Sequence, residues 1–152
     1  MRSTRSTQHL KAPRSIVYAA LVDASAIARW KLPDGMTLHV HEFEAREGGR
    51  FRVTLTYSTP DQHGKTTAHT DTYHGHVKEL VPDKRVVEVI EFEATDPAMR
   101  GKMIITIELA DVDGGTELQA VHEGLPPGLS LVDNETGWRM ALAKLAGLLE
   151  KN

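Results

Sequence analysis

Glu88 is the first side chain in this sequence that could do chemistry. By the two-residue period of a β-strand it shares a face with Val86, Ile90 and Phe92, which form the more apolar face of their run. A carboxylate buried on that face would need a partner or would become neutral, and either state suits binding a polar ligand group or acid–base work. The alternative is that the opposite face turns inward, which leaves Glu88 in water.

Histidines form a second group. The chain has eight, and two pairs, His39 with His41 and His74 with His76, each place both imidazoles on one strand face. Such pairs on neighbouring strands can bind zinc. In a simple meander, however, an intervening strand separates the pairs by about 9 to 10 Å, which zinc–nitrogen bonds of about 2 Å do not span. We therefore expect solvated strand faces and no metal.

Three further polar residues are candidates for orienting a ligand. His122 shares a strand face with Leu118 and Ala120 and precedes the loop into the last helix, so it lies at a cavity mouth or is a hydrogen-bonded structural histidine. Tyr57 and Tyr73 combine apolar rings with hydroxyl groups, although such tyrosines also pack in cores. Phosphate-loop, dinucleotide-binding and Gly-x-Ser-x-Gly hydrolase motifs do not occur.

The composition is that of one soluble domain covering residues 1–152, with 40% apolar and 26% charged residues. No apolar run approaches the roughly 20 residues that cross a bilayer. The net charge of −3 argues against nucleic-acid binding, and the absence of cysteine indicates a reducing compartment. Four basic residues precede the first acid, Asp23, as in transit peptides, but the stretch fits a first strand better, so we expect a cytoplasmic protein.

Periodicity and turn residues divide the chain into seven strands and three helices. A first strand at residues 3–10 precedes two short helices, one beginning at Ala12 and Pro13 and carrying the apolar stripe Ile16, Val17, Ala20 and Leu21, the other at residues 24–29 after a capping Asp23. A period-two pattern then predicts six strands. They are expected at residues 37–46, 50–57, 70–80, 85–93, 102–110 and 116–123.

The last segment predicts a helix of about 20 residues with one apolar seam. Ser130 and Asp133 resemble a capping box at its start, and Gly137 predicts either a close approach or a bend. The element order predicts an α+β fold in which this helix covers one face of a curved antiparallel sheet and leaves a concave space between the layers. The seam consists of Leu131, Trp138, Leu142, Leu145 and Leu149.

Several motifs, in order along the chain, resemble the SRPBCC or START-like superfamily with its helix-grip fold. They are the run at residues 12–23 and the Ala-Arg-Trp at residues 28–30. Residues 45–51, 115–118 and 136–138 with the downstream leucines are similar to the group related to activators of the heat-shock-protein-90-type ATPase. The resemblance covers nearly the whole chain.

The resemblance implies a deep, mostly apolar cavity between the sheet and the long helix. Different members use it to carry lipids or other small apolar molecules, to cyclise polyketides or to contact a chaperone. No catalytic motif of the group can be matched to this chain. At position 88 the resemblance leads us to expect an aromatic or apolar residue, where this chain has glutamate.

The leading hypothesis is binding of a small, mostly apolar ligand without a cofactor, driven by desolvation worth roughly 25 cal/mol per Å². The alternatives are a cyclase- or hydrolase-like enzyme with Glu88 as acid or base, and a co-chaperone-like interaction domain. Homodimerisation through an edge strand is also open. The candidate ligand-binding residues, of which at least half could simply fill a core, are Trp30, Phe43, Phe51, Tyr57, Tyr73, Glu88, Phe92, Met103, Ile105, His122 and Trp138.

Overall fold

A single antiparallel sheet dominates the computed structural model of the protein, which describes residues 2–58 and 69–150. In this part of the chain the sheet has seven strands. They are β1 (Ser3–Leu10), β2 (Met36–Phe43), β3 (Arg50–Tyr57), β4 (Thr70–Val81), β5 (Arg85–Phe92), β6 (Met103–Val112) and β7 (Gly115–Glu123). Three α-helices accompany them: α1 (Arg14–Leu21), α2 (Ala24–Trp30) and α3 (Leu131–Glu150).

The strand order is β1-β7-β6-β5-β4-β3-β2, a meander whose first strand pairs with its last. β1 and β2 are therefore the two edges. The sheet is curled into a half-barrel, and α3 lies on its concave side, so the predicted α+β helix-grip fold is confirmed. Among the described residues, no helix has both the length and the apolar character of a membrane span.

The turn between β2 and β3 begins earlier than the sequence predicts. β2 ends at Phe43 rather than at residue 46, because the Glu44 carboxylate accepts a hydrogen bond from the Arg50 backbone N–H at 2.8 Å and closes a tight loop. Gly48 in this loop has a φ of 80°, and a Cβ at Gly49 would overlap the Glu44 carbonyl oxygen. The two glycines thus form the tight turn that the sequence indicates.

The first two helices follow their predicted signals with two differences. Asp23 caps α2 by accepting a hydrogen bond from the Ser25 N–H at 3.2 Å. Pro13 precedes α1 as its N-cap instead of opening the helix. Ile16 does not belong to the buried stripe, because its side chain is 47% exposed and the helix turns only a narrow side, which includes Val17 and Leu21, to the core.

Helix α3 carries the predicted seam and the predicted cap. The Ser130 hydroxyl accepts a hydrogen bond from the Asp133 N–H at 3.2 Å. Leu131, the first residue of the helix, is only partly buried, whereas the other four seam residues are buried. Pro33, in the loop after α2, approaches Gly137, but a Cβ there would lie 3.6 Å from the proline ring, an ordinary contact. The close approach exists, and it does not by itself require glycine.

Candidate functional site

A cavity of about 650 Å³ lies between the concave face of the sheet and α3. Its floor is made by inward-facing residues of β3 to β7, its roof by α3, and one side by the loop that joins α2 to β2. This volume falls within the range of about 300 to 1,000 Å³ typical of small-molecule sites. The sheet supplies the site because strands of period two present every second side chain to the same concave face.

Six of the predicted binding residues line this cavity. All six come from the sheet or from α3, and five of them are aromatic or aliphatic. The Tyr73 and Phe92 rings, on neighbouring strands, meet edge to face with their centroids 6.5 Å apart. The six are Tyr57, Tyr73, Phe92, Ile105, His122 and Trp138.

Four predicted residues do not reach the cavity. Trp30, Phe51 and Met103 are fully covered core residues, and the Trp30 indole N–H donates to the Ala20 carbonyl at 3.0 Å. Phe43 stacks on Phe51 with centroids 6.1 Å apart, away from the cavity wall. Strand parity gives the face of a residue, whereas the position of α3 decides whether protein or empty space lies above it.

Glu88 faces inward but does not line the cavity. Its side chain is 3% exposed, and it accepts a hydrogen bond from the Lys31 ammonium at 2.7 Å. Lys31, at the end of α2, lines the cavity in its place. Burial would lower the pKa of Lys31, but the charge of Glu88 and its hydrogen bond outweigh burial and raise it, so the ammonium is charged.

His122 is held as a neutral acceptor on the cavity wall. The Trp138 indole N–H, which can only donate, points at His122 Nδ1 at 3.2 Å, so Nδ1 carries no proton. Asn134 Nδ2 donates to the same atom at 3.2 Å, while its Oδ1 accepts from the Thr4 hydroxyl. The proton of the ring therefore sits on Nε2, 3.2 Å from the Met103 sulfur. Burial, followed by the nearby Lys31 charge, lowers the pKa of His122 to about 4.

The sequence did not predict two charged residues that line the cavity, Asp71 and Lys31. Asp71 lines the cavity on the same strand face as Tyr73 and is fully buried, and the Tyr57 hydroxyl lies 3.5 Å from its carboxylate. The parity shared with Tyr73 could have revealed it. Lys31 carried no such signal, because it follows a short helix whose exit direction depends on tertiary packing.

The histidine pairs lie on the outer face of the sheet. β3 separates them, as the meander predicts. His41 Nε2 lies 2.8 Å from the Thr54 hydroxyl, and His74 contacts Glu93 at 3.0 Å and Glu91 at 3.3 Å. Within residues 2–58 and 69–150, no group of three or more His, Asp or Glu side chains is arranged to hold a metal ion.

The fold and the cavity define the class of the protein, which is the SRPBCC or START-like helix-grip class. A family model described as "Activator of Hsp90 ATPase homolog 1-like protein" matches residues 11–150. The chain therefore belongs to the family of activator of Hsp90 ATPase homolog 1-like proteins. The resemblance drawn from the sequence motifs is confirmed.

Solved structures share this fold over nearly their whole length. A protein from Chromobacterium violaceum is 32% identical, with 97% of this chain and 96% of that chain covered and a TM-score of 0.87. A protein from Rhodobacter sphaeroides is 22% identical, covers 98% and 92%, and has a TM-score of 0.81. The AHSA1 protein from Silicibacter pomeroyi is 20% identical, covers 98% of both chains, and has a TM-score of 0.76. The last two show the fold alone. No curated protein matches the chain.

Proposed function

We propose that the protein binds a small, mostly apolar molecule in the cavity between the sheet and α3. The observation that carries this proposal is the cavity itself, whose volume of about 650 Å³ is bounded by aromatic and aliphatic side chains interspersed with polar groups such as Lys31, Asp71 and His122. Membership of a family with a ligand-binding fold supports it. The absence of cysteine fits a reducing compartment such as the cytoplasm.

Binding would be driven mainly by desolvation of the ligand. Each Å² of apolar ligand surface removed from water contributes roughly 25 cal/mol, from which the cost of immobilising the ligand is subtracted. The rings of Tyr57, Phe92 and Trp138 provide apolar contact, and the groups at Lys31, Tyr73 and His122 select its orientation.

No specific observation favours the other two hypotheses. An acid–base role for Glu88 needs its carboxyl to meet the ligand, but the wall presents Lys31 and places Glu88 behind it. A co-chaperone role needs a contiguous apolar surface. In the described part of the chain, the exposed large apolar side chains are Ile16, Val112 and Val132, which belong to three different elements.

Filling the cavity from α3 tests the proposal. Ala141 is a buried residue of the cavity wall, whereas Ala143, two positions along the same helix, is exposed. We expect Ala141→Phe to weaken binding of the neutral fluorescent probe N-phenyl-1-naphthylamine by about tenfold or more, since the ring takes up ligand volume. Ala143→Phe is the matched control and should bind as the parent does.

Native mass spectrometry of the freshly purified protein provides a second readout. A co-purified small molecule that is lost in Ala141→Phe and retained in Ala143→Phe would support the proposal. No probe binding to the parent protein, or equal binding by both variants, would contradict it.

A further inference from the structure

We infer that the ligand is an uncharged molecule with a carbonyl-type hydrogen-bond acceptor, and that Lys31 and Tyr73 receive this acceptor. This inference rests on the proposed function and names the chemical class of the ligand for the same cavity. It follows from the donors that the wall leaves without partners and from the balance of charge around them.

Lys31 supplies the first donor. Its side chain is 13% exposed, it lines the cavity, and an ammonium carries three hydrogens. One hydrogen bonds to Glu88 at 2.7 Å, and the other two have no acceptor among the described residues. A ligand that fills the cavity excludes water from these hydrogens, so a ligand oxygen that accepts from the ammonium is favoured.

Tyr73 supplies the second donor. Its side chain is 7% exposed and lines the cavity, and no described residue forms a hydrogen bond with its hydroxyl. Lys31 is close enough for its charge to act on this hydroxyl, opposing the larger effect of burial on the pKa of Tyr73. Both donors line the same cavity, which suits an oxygen with two lone pairs.

The surrounding charge disfavours an anionic ligand. Glu88 neutralises Lys31, the only ammonium or guanidinium on the described part of the wall. The wall also holds three carboxylates, at Asp34, Asp71 and Asp133, of which Asp34 pairs with Lys144. A carboxylate or phosphate would lose its hydration and meet no net positive charge. A cationic group has no lone pair to offer and would leave both donors unsatisfied.

Three naphthalene probes separate these possibilities in the parent protein. Prodan is uncharged and carries a carbonyl, N-phenyl-1-naphthylamine is uncharged without one, and 1-anilinonaphthalene-8-sulfonate is anionic. We expect prodan to bind about tenfold more tightly than N-phenyl-1-naphthylamine, which is the value of a hydrogen bond to a charged donor, and the sulfonate to bind most weakly. The emission of bound prodan should lie at longer wavelength than in a donor-free apolar solvent.

Two pairs of variants test the residues. Glu88→Gln leaves the Lys31 charge uncompensated and should strengthen sulfonate binding about tenfold, whereas Glu91→Gln, on the same strand but on its outer face, should not. Tyr73→Phe should weaken prodan several-fold and leave N-phenyl-1-naphthylamine unchanged. Tyr18→Phe, on α1 outside the cavity wall, is its control.

The outcomes distinguish a failure of the proposed function from a failure of the inference about the ligand's chemical class. If neither neutral probe binds the parent protein, the proposed function fails and the inference fails with it. If both neutral probes bind equally, or the sulfonate binds as tightly as prodan, the inference is wrong while cavity binding stands. The parent measurements and Tyr73→Phe decide the question even if Glu88→Gln does not fold.

Discussion

The two halves of the sheet have different roles, one in packing and the other in bordering the cavity. On the side of β1, β7 and β6, inward residues such as Leu10, Leu118 and Ile107 are fully buried, and here α3 packs against β1 while α1 packs against β6 and β7. On the side of β2 and β3, no β2 residue is buried, and Leu55 and Tyr57 border the cavity. The tightly packed part of the concave face stabilises the fold, and the part where empty space lies below α3 provides the candidate site.

The largest expected effect separates these halves directly. Leu118→Ala should lower the free energy of unfolding by about 2 to 5 kcal/mol, because it leaves a void in packed surroundings. Leu55→Ala, a matched leucine of the sheet that borders existing empty space, should cost about 1 kcal/mol or less. Denaturant unfolding measures both, and equal losses would refute the division of the sheet.

The Lys31–Glu88 pair lies at the boundary between the halves. Lys31→Met should destabilise the protein by roughly 3 kcal/mol, because it leaves the Glu88 carboxylate buried without its partner. The double variant Lys31→Met with Glu88→Met should recover most of this loss, since an apolar pair has no charge to desolvate. A double variant no more stable than Lys31→Met would show that the pair is not the origin of the loss.

Acid should act on the cavity wall through His122. Its pKa in the folded protein, about 4, lies below its ordinary value of about 6.5, so folding favours the neutral ring. The stabilisation is complete above pH 6.5 and is lost as the pH falls through 4, by roughly 3 kcal/mol in total.

His122→Gln should remove this pH dependence between pH 6.5 and 4.5 in thermal unfolding. The pKa of Glu93 is lowered to about 2 by its hydrogen bond from Arg52, so its own contribution is lost only at lower pH. A variant that keeps the parent slope between pH 6.5 and 4.5 would contradict the assignment to His122.

The smallest effect concerns the end of α3 next to the cavity. Ser130→Ala removes the hydroxyl that accepts from Asp133 and should cost about 1 kcal/mol. Faster amide hydrogen exchange should be confined to the first turn of α3. Acceleration that extends to the tightly packed part at Leu145 would mean that the helix opens as one unit.

The sequence predicts the fold well and the site partly, for a physical reason. Strand alternation places Glu88 with Val86 and Ile90, and the structure has all three on the buried face. The same alternation cannot separate Phe51 from Tyr57, which share a face of β3 although one lies in the core and the other in the cavity wall. That difference depends on how α3 packs over the sheet, which strand alternation does not determine.

Lys31 illustrates the same limit at longer range. It contacts Glu88 across 57 positions of the chain. Local sequence patterns therefore do not predict this contact between Lys31 and Glu88. The sequence pointed to the glutamate as a candidate, but it did not point to its partner.

The two tryptophans lie in different environments, so intrinsic tryptophan fluorescence can be used to follow the cavity. Trp138 borders the cavity with its indole N–H on His122, whereas Trp30 is sealed in the core with its N–H on a backbone carbonyl. If the proposed ligand binds, we expect it to change the surroundings of Trp138 and to leave Trp30 as an internal standard. Unlabelled protein can therefore report its own occupancy through its ultraviolet emission.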